Sequence, residues 1–244
     1  MTIHPHEDSA LFLKNTNPFE GLGCDAVRKL GEVVVEKRFD IGDLIFSANE
    51  KAEFVYFIRE GRVKLYRMTE DGRENIVALL GPGDIFGEFV FGEDLTHSVF
   101  AQAFEPSWLC ILSRSGLFRL LAADPKIAVT IVNNIGRRLS VQARSIENLS
   151  TYAVDLRLGK LLLSLAAEFG SSNPTKSDSD AVALTVNLTH QDLANMIAMC
   201  RQTVTSIVNR FKRNGLLAYR DKKLIVNVSH LKKYLAQNRA LTEN

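Results

Sequence analysis

The chain has 244 residues, 46% hydrophobic and 24% charged, with a formal net charge of +2. This is the make-up of an ordinary soluble globular protein, long enough for two domains with cores of their own. No run is apolar enough to span a membrane, and the first residues, MTIHPHEDSA, lack the basic start and apolar run of a signal peptide, so a cytoplasmic location without membrane attachment is expected.

From Val33 to Leu112, short β-branched and aromatic runs alternate with turn signals, as in a small all-β sandwich or barrel. The runs are Val33–Val35, Leu44–Phe46, Val55–Ile58, Val63–Tyr66, Ile76–Leu80, Val99–Ala103 and Trp108–Leu112. Between them lie Gly42-Asp43, Glu60-Gly61, Asp71-Gly72 and Gly81-Pro82-Gly83-Asp84. Glycine permits positive φ and proline and aspartate favour turns, so the pattern predicts a roll with tight corners enclosing a pocket.

Cys24, Cys110 and Cys200 are far apart, without C-x-x-C or Cys/His ligand spacing. Neither a disulfide framework nor a zinc or four-cysteine iron–sulfur site is expected. Cys110, between Leu109 and Ile111, and Cys200 both read as buried, unreactive thiols.

After Ala123-Asp124-Pro125, a helix start, residues Ala128, Val132, Ile135, Leu139, Gln142, Ile146, Leu149, Ala153 and Leu156 follow at alternating steps of four and three. That is the a/d pattern of a coiled coil, with Gln142 as its polar member, and it predicts a two-stranded parallel dimer helix. A helix packed only on its own domain would show a wider apolar face. A second amphipathic helix is expected from Leu156 to Phe169, then a polar surface loop from Gly170 to Asp180.

Leu188 to Val228 reads as two short helices, a tight turn between them, and a β hairpin. Thr189 can cap the first helix, with Asp192 in its first turn and Leu193, Ala194 and Ile197 facing inward. Ala198-Met199-Cys200 fills the turn. In the second helix Val204, Ile207, Val208 and Phe211 form one apolar stripe. The opposite face carries Arg201, Gln202, Thr205, Ser206, Asn209 and Arg213, side chains able to reach base edges and phosphates in a major groove. Asn214-Gly215 ends the helix, and Leu224–Val228, after the turn-like Arg220–Lys223, completes a wing. Residues 186–239 hold ten Lys or Arg and two Asp or Glu, a net of +8 in a chain of +2. A basic excess confined to a helix-turn-helix segment is the electrostatic footprint of phosphate contact, and it makes double-stranded DNA the expected partner.

Gly42-Asp43, then Tyr56–Val63 (YFIREGRV), Gly81–Glu88 (GPGDIFGE) and Arg201–Val204 (RQTV) follow in an order that resembles the Crp/Fnr superfamily of bacterial transcription regulators, over about Phe19 to Val228. The resemblance implies an α+β chain: an N-terminal, jelly-roll-like β roll sensing an effector (1–123), a dimerisation helix (124–156) and a C-terminal winged helix-turn-helix (157–244). It further implies a homodimer on a pseudo-palindromic DNA site, RNA polymerase as a partner, and a small effector in the roll acting through the dimer helix.

In cyclic-nucleotide members of the family a Gly-Glu pair holds the ribose and an Arg-Ser pair neutralises the phosphate. Here Gly87-Glu88 matches, but the second pair reads His97-Ser98, and Gln142-Ala143 replaces the hydroxyls offered to the purine. An imidazole, mostly neutral near pH 7, stands where a permanent cation belongs, which argues against cyclic AMP. Gly87, Glu88, His97, Ser98 and Gln142 remain the expected effector contacts. The alternatives are haem, with His97 as its iron ligand in a gas sensor, and an organic anion. The N-terminal cysteine cluster of the iron–sulfur, oxygen-sensing branch is absent.

The resemblance makes Arg201, Gln202, Thr203, Thr205, Ser206, Arg210 and Lys212 the expected DNA contacts. Two rivals are a cupin-like enzyme and a cyclic-nucleotide-binding regulatory module without DNA binding. The roll sequence has no paired-histidine metal motif and no nucleophile with an evident base, so no catalytic residue is expected, and the basic helix-turn-helix opposes the second rival.

Overall fold

The computed structural model describes residues 34–87, 96–123, 153–171, 180–221 and 223–239, with helical positions at 125, 127–129, 131–133, 135–136 and 139. The chain divides into two compact units, residues 1–141 and 142–244.

The first unit is the expected roll. Its strands are β1 (Val34–Phe39), β2 (Leu44–Phe46), β3 (Phe54–Glu60), β4 (Val63–Met68), β5 (Glu74–Leu80), β6 (Ile85–Phe86), β7 (Phe100–Ala103) and β8 (Ser107–Ser113). They form two four-stranded antiparallel sheets, in the orders β1-β8-β3-β6 and β2-β7-β4-β5. Every expected run with described residues lies in or overlaps a strand; the two-residue β6, hidden in the GPGDIFGE segment, is the addition.

Alternation explains why Val55–Ile58 is apolar without a break. Tyr56 and Ile58 face the roll interior with Phe46, Val63, Leu65, Phe86 and Leu109. Val55 and Phe57 face the other way, into a second core with Cys110, Leu112, Leu117, Ile127 and Ile131. A strand buried on both faces has no solvent side to mark with polar residues. The second core is roofed by α1 (Arg114–Ala123) and by the helical residues Ile127 and Ile131.

The corners hold positive φ at Gly42 (+88°), Gly61 (+81°), Gly72 (+76°) and Gly83 (+88°). Gly61 is the most constrained, because a Cβ there would collide with the Pro106 carbonyl oxygen and with Ser107.

The second unit contains α2 (Val154–Phe169), β9 (Gly170–Ser171), β10 (Ala181–Leu184), α3 (His190–Met196), α4 (Arg201–Arg213), β11 (Leu217–Arg220), β12 (Lys223–Asn227) and α5 (Val228–Arg239). The wing hairpin belongs to a four-stranded sheet, β11-β12-β10-β9. Gly170 and Ser171 are therefore strand residues, not the start of a loop, since they pair with Leu184 and Ala183. The last strand stops at Asn227, whose side-chain oxygen accepts from the His230 N–H (3.1 Å) and caps α5.

The four-three register also ends earlier than the sequence suggests. Ala153 is extended (φ −56°, ψ 152°) and caps a new helix, α2, in which Leu156 is buried, as are Leu158, Leu162, Leu165 and Phe169. The apolar spacing continues across the break because α2 needs a buried face of its own.

Replacing Gly61 by alanine should cost at least the roughly 1–3 kcal/mol of a strained backbone, and more than Gly42→Ala, where a Cβ meets nothing within 4 Å. Urea unfolding of the two variants checks the order.

Candidate nucleic-acid interface and effector site

A reciprocal capping box starts α3: the Thr189 hydroxyl accepts from the Asp192 N–H (3.1 Å) and the Asp192 carboxylate accepts from the Thr189 N–H (2.8 Å). Leu193, Ala194 and Ile197 are buried, as expected. Ala198, at φ +52°, makes the sharp turn.

In α4 the buried residues are Val204, Ile207, Val208 and Phe211. At about 100° per residue, burying that stripe directs Gln202, Ser206, Asn209 and Arg213 to the opposite side. All four are exposed and have no side-chain hydrogen bond or ion pair among the described residues. Arg201, Thr205 and Lys212 flank this face on one edge, Thr203 and Arg210 on the other.

The two edges differ. Thr203 is 3.0 Å from the Cys200 sulfur. Arg210 donates to Asp155 Oδ2 at 2.8 Å, an oxygen that also accepts from the Tyr234 hydroxyl at 2.9 Å. Arg210 thus ties α4 to the first turn of α2 and to α5. A second arginine does similar work: Arg157 of α2 donates to the Ile197 carbonyl at 2.6 Å, at the end of α3.

On the other edge, Thr205 is 2.9 Å from His190 Nδ1, and the Tyr219 hydroxyl of β11 is 3.4 Å from His190 Nε2. Arg220 pairs with Lys223, so the hairpin closes in two residues, and Asp221 supplies a φ of +49°.

In the roll, Gly87 holds φ +83° with its α-carbon close to the Phe54 carbonyl and the Tyr56 ring, too close for a side chain. His97 is 2% exposed and stacks on Phe46, with centroids 3.6 Å apart and planes 9° from parallel. Phe46 in turn packs on Tyr56 and Phe86. Gly87 and His97 therefore meet one aromatic cluster, while Ser98, the next residue along, is exposed. Burial holds His97 below its ordinary value, against a smaller opposing pull from Glu50, and pushes Tyr56 up to about 12. Glu88 and Gln142 lie outside the described residues.

Residues 36–124 match the cyclic nucleotide-binding domain family, and residues 156–234 the Crp-like helix-turn-helix domain family. A global nitrogen regulator of Synechococcus elongatus is 30% identical over 192 residues, covering 78% of this chain and 84% of that one. A CRP-like cAMP-activated global transcriptional regulator of Mycobacterium tuberculosis is 26% identical over 211 residues, covering 86% and 92%. A solved CooA mutant from Carboxydothermus hydrogenoformans shares the fold, with a TM-score of 0.72 at 23% identity over 93% of this chain and 95% of that one.

The chain belongs to the Crp/Fnr superfamily. It is a transcription regulator of that type, with an effector-binding roll and a helix-turn-helix DNA-binding domain. No described helix is long and apolar enough to cross a membrane.

One residue of this Crp/Fnr chain departs from its sequence reading. Cys200 is exposed, not buried. It is the N-cap of α4, with extended backbone (φ −79°, ψ 148°), and hydrogen bonds from Thr203, first its side chain and then its backbone, lower the thiol's pKa. Cys110 is buried as expected, and burial, reinforced by Glu36, pushes its thiol up to about 12. The aromatic residues against His97 and Gly87, Phe46 and Tyr56, were legible only as strand residues. Tyr56 opens the YFIREGRV motif, but nothing in sequence spacing tells that Phe46 lies against His97.

Proposed function

We propose that this Crp/Fnr regulator binds pseudo-palindromic DNA as a homodimer, reading bases with the outward face of α4 while a small effector in the roll adjusts affinity through the linking helix. The observation that carries this reading is the free face of Gln202, Ser206, Asn209 and Arg213, opposite the buried stripe and within a segment of net +8. Arg201 and Gln202, at the N-terminal end of α4, are the base contacts; an arginine pairs bidentately with guanine and a glutamine with adenine. Ser206, with Thr205 and Lys212, serves the groove wall and phosphates. Thr203 and Arg210 act from the far edge, Arg210 chiefly by holding the helix through Asp155.

Dimerisation is supported by the helical positions between 125 and 139. Ile127 and Ile131 are buried against the roll, yet Val132 and Leu139, on the a/d row, are 64% and 65% exposed. A helix satisfied by its own domain would not hold such a row in water; a second copy of the same helix covers it. RNA polymerase follows as a further partner of a regulator placed on promoter DNA.

For the effector, the buried and aromatic setting of His97 speaks against a cyclic phosphate. A neutral imidazole stacked on Phe46 supplies no permanent cation, and a buried phosphodiester without one is costly. The mycobacterial relative is cAMP-activated by name; for this roll the readings that need no phosphate cation at His97 are haem, with His97 as its iron ligand, and an organic anion whose charge is met by a cation other than His97.

Arg201→Ala should cost ~1–3 kcal/mol at one base pair of each half-site and little on random DNA, whereas Lys212→Ala should weaken all sequences alike. Competition binding with a selected site and its point variants checks this; equal losses on specific and random DNA for both variants would sink the assignment. Leu139→Glu should convert a dimer to a monomer in light scattering. Cyclic AMP should leave DNA affinity within about twofold, less than the 5–150-fold usual for an allosteric effector. A Soret band on adding haem, lost in His97→Ala, would instead select the haem alternative.

A further inference from the structure

His190 opens α3, yet its ring reaches two other elements. One ring nitrogen meets the Thr205 hydroxyl of α4 (2.9 Å), the other the Tyr219 hydroxyl of the wing (3.4 Å). Beside them the Lys212 ammonium sits over the Tyr219 ring, 5.3 Å from its centroid. First helix, reading helix and wing thus converge on one half-buried imidazole at the edge of the reading face.

The hydrogen-bond inventory makes this more than a structural strut. A neutral imidazole has one donor and one acceptor nitrogen, so one hydroxyl gives its proton to the ring and the other receives one. An imidazolium donates from both nitrogens. Both hydroxyls must then accept from the ring, which turns both of their own protons outward. A DNA phosphate oxygen only accepts, so it is best served when the ring is charged and Thr205, Tyr219 and Lys212 all present donors.

We propose that His190, Thr205, Tyr219 and Lys212 form a backbone-phosphate site, and that its occupation by a DNA phosphodiester takes up one proton from solvent onto His190. The proposal rests on the DNA-binding reading above and adds a residue and a linkage to it.

The surrounding charges support the direction. From α4, Arg201 and Lys212 face the ring; from the wing, Tyr219; within α3, Gln191 is bonded to Asn195, and Asp192 is engaged in the capping box with Thr189. Burial first, then Arg201 and Lys212, hold His190 below its ordinary value in free protein, so the ring is neutral near pH 7. A phosphate arriving beside those cations offsets their field and raises the value again. Because the complex binds the proton more tightly than free protein does, affinity rises as pH falls through the interval between the two values. The limit is about tenfold per pH unit for each proton taken up.

The test uses the full chain and a labelled mixed-sequence duplex of about three helical turns, with Kd measured by anisotropy at constant ionic strength from about pH 6 to about pH 8. The wild type should bind severalfold more tightly at the acid end. His190→Gln, which keeps one donor and one acceptor, should be flat at the wild type's alkaline affinity. His190→Arg, a permanent cation, should be flat at the acid affinity or tighter. Calorimetry of the wild type in buffers of different ionisation enthalpy should count about one proton per protomer, which serves if the variants fail to fold. A flat wild-type profile, a slope that survives in His190→Gln, or a proton count of zero overturns the proposal while leaving DNA binding intact. No binding of either this duplex or a selected site at low salt overturns the DNA-binding reading and the proposal together.

Discussion

Burial of Val204, Ile207, Val208 and Phe211 along one side of α4 governs the whole C-terminal unit. Four apolar side chains at helical spacing leave the helix one rotational setting, and that setting decides which polar residues meet solvent. Everything around the helix then secures its ends and edges: the capping box at Thr189, the Arg157 contact to the Ile197 carbonyl, and the shared Asp155 carboxylate between Arg210 and Tyr234. Polar contacts of this kind add direction where apolar packing alone would permit rocking of the helix about its stripe.

Charge distribution follows the same division. Asp155 takes up an arginine on one edge of α4, while on the other edge Arg201 and Lys212 surround His190. A strip of similar basic residues on a linear sequence thereby becomes two chemically different borders, one inward-looking and structural, the other open to an acidic polymer. Arg210 and Lys212, two residues apart, fall on opposite borders because a helix advances about 200° between them.

How much of this could be read from the sequence depended on range. The capping box and the apolar stripe are local, so α3, the turn and α4 were legible in detail, as were strands marked by apolar runs and glycine corners. The strands β6, β9 and β10 were missed because a strand of two to four residues is defined by distant partners, as Gly170 is by Leu184. Cys200 was misread because its place in a turn suggested packing, whereas the N-cap conformation turns the sulfur toward the helix's first turn. Arg210 is expected as a DNA contact, and its bond to Asp155, fifty-five residues away, is a further role that no local pattern shows. The surroundings of His97 were least legible, since they depend on Phe46 stacking on its ring from a neighbouring strand.

The two-sided strand β3 has a mechanical corollary. Tyr56 belongs to the aromatic cluster inside the roll and its neighbour Phe57 to the core under Ile127 and Ile131. Consecutive residues on a pleated backbone cannot be displaced independently, so a change of fit around Tyr56 is felt as torque on Phe57. The interior of the roll and the helical residues Ile127 and Ile131 are thus separated by the thickness of one strand, whose adjacent side chains face the two cores.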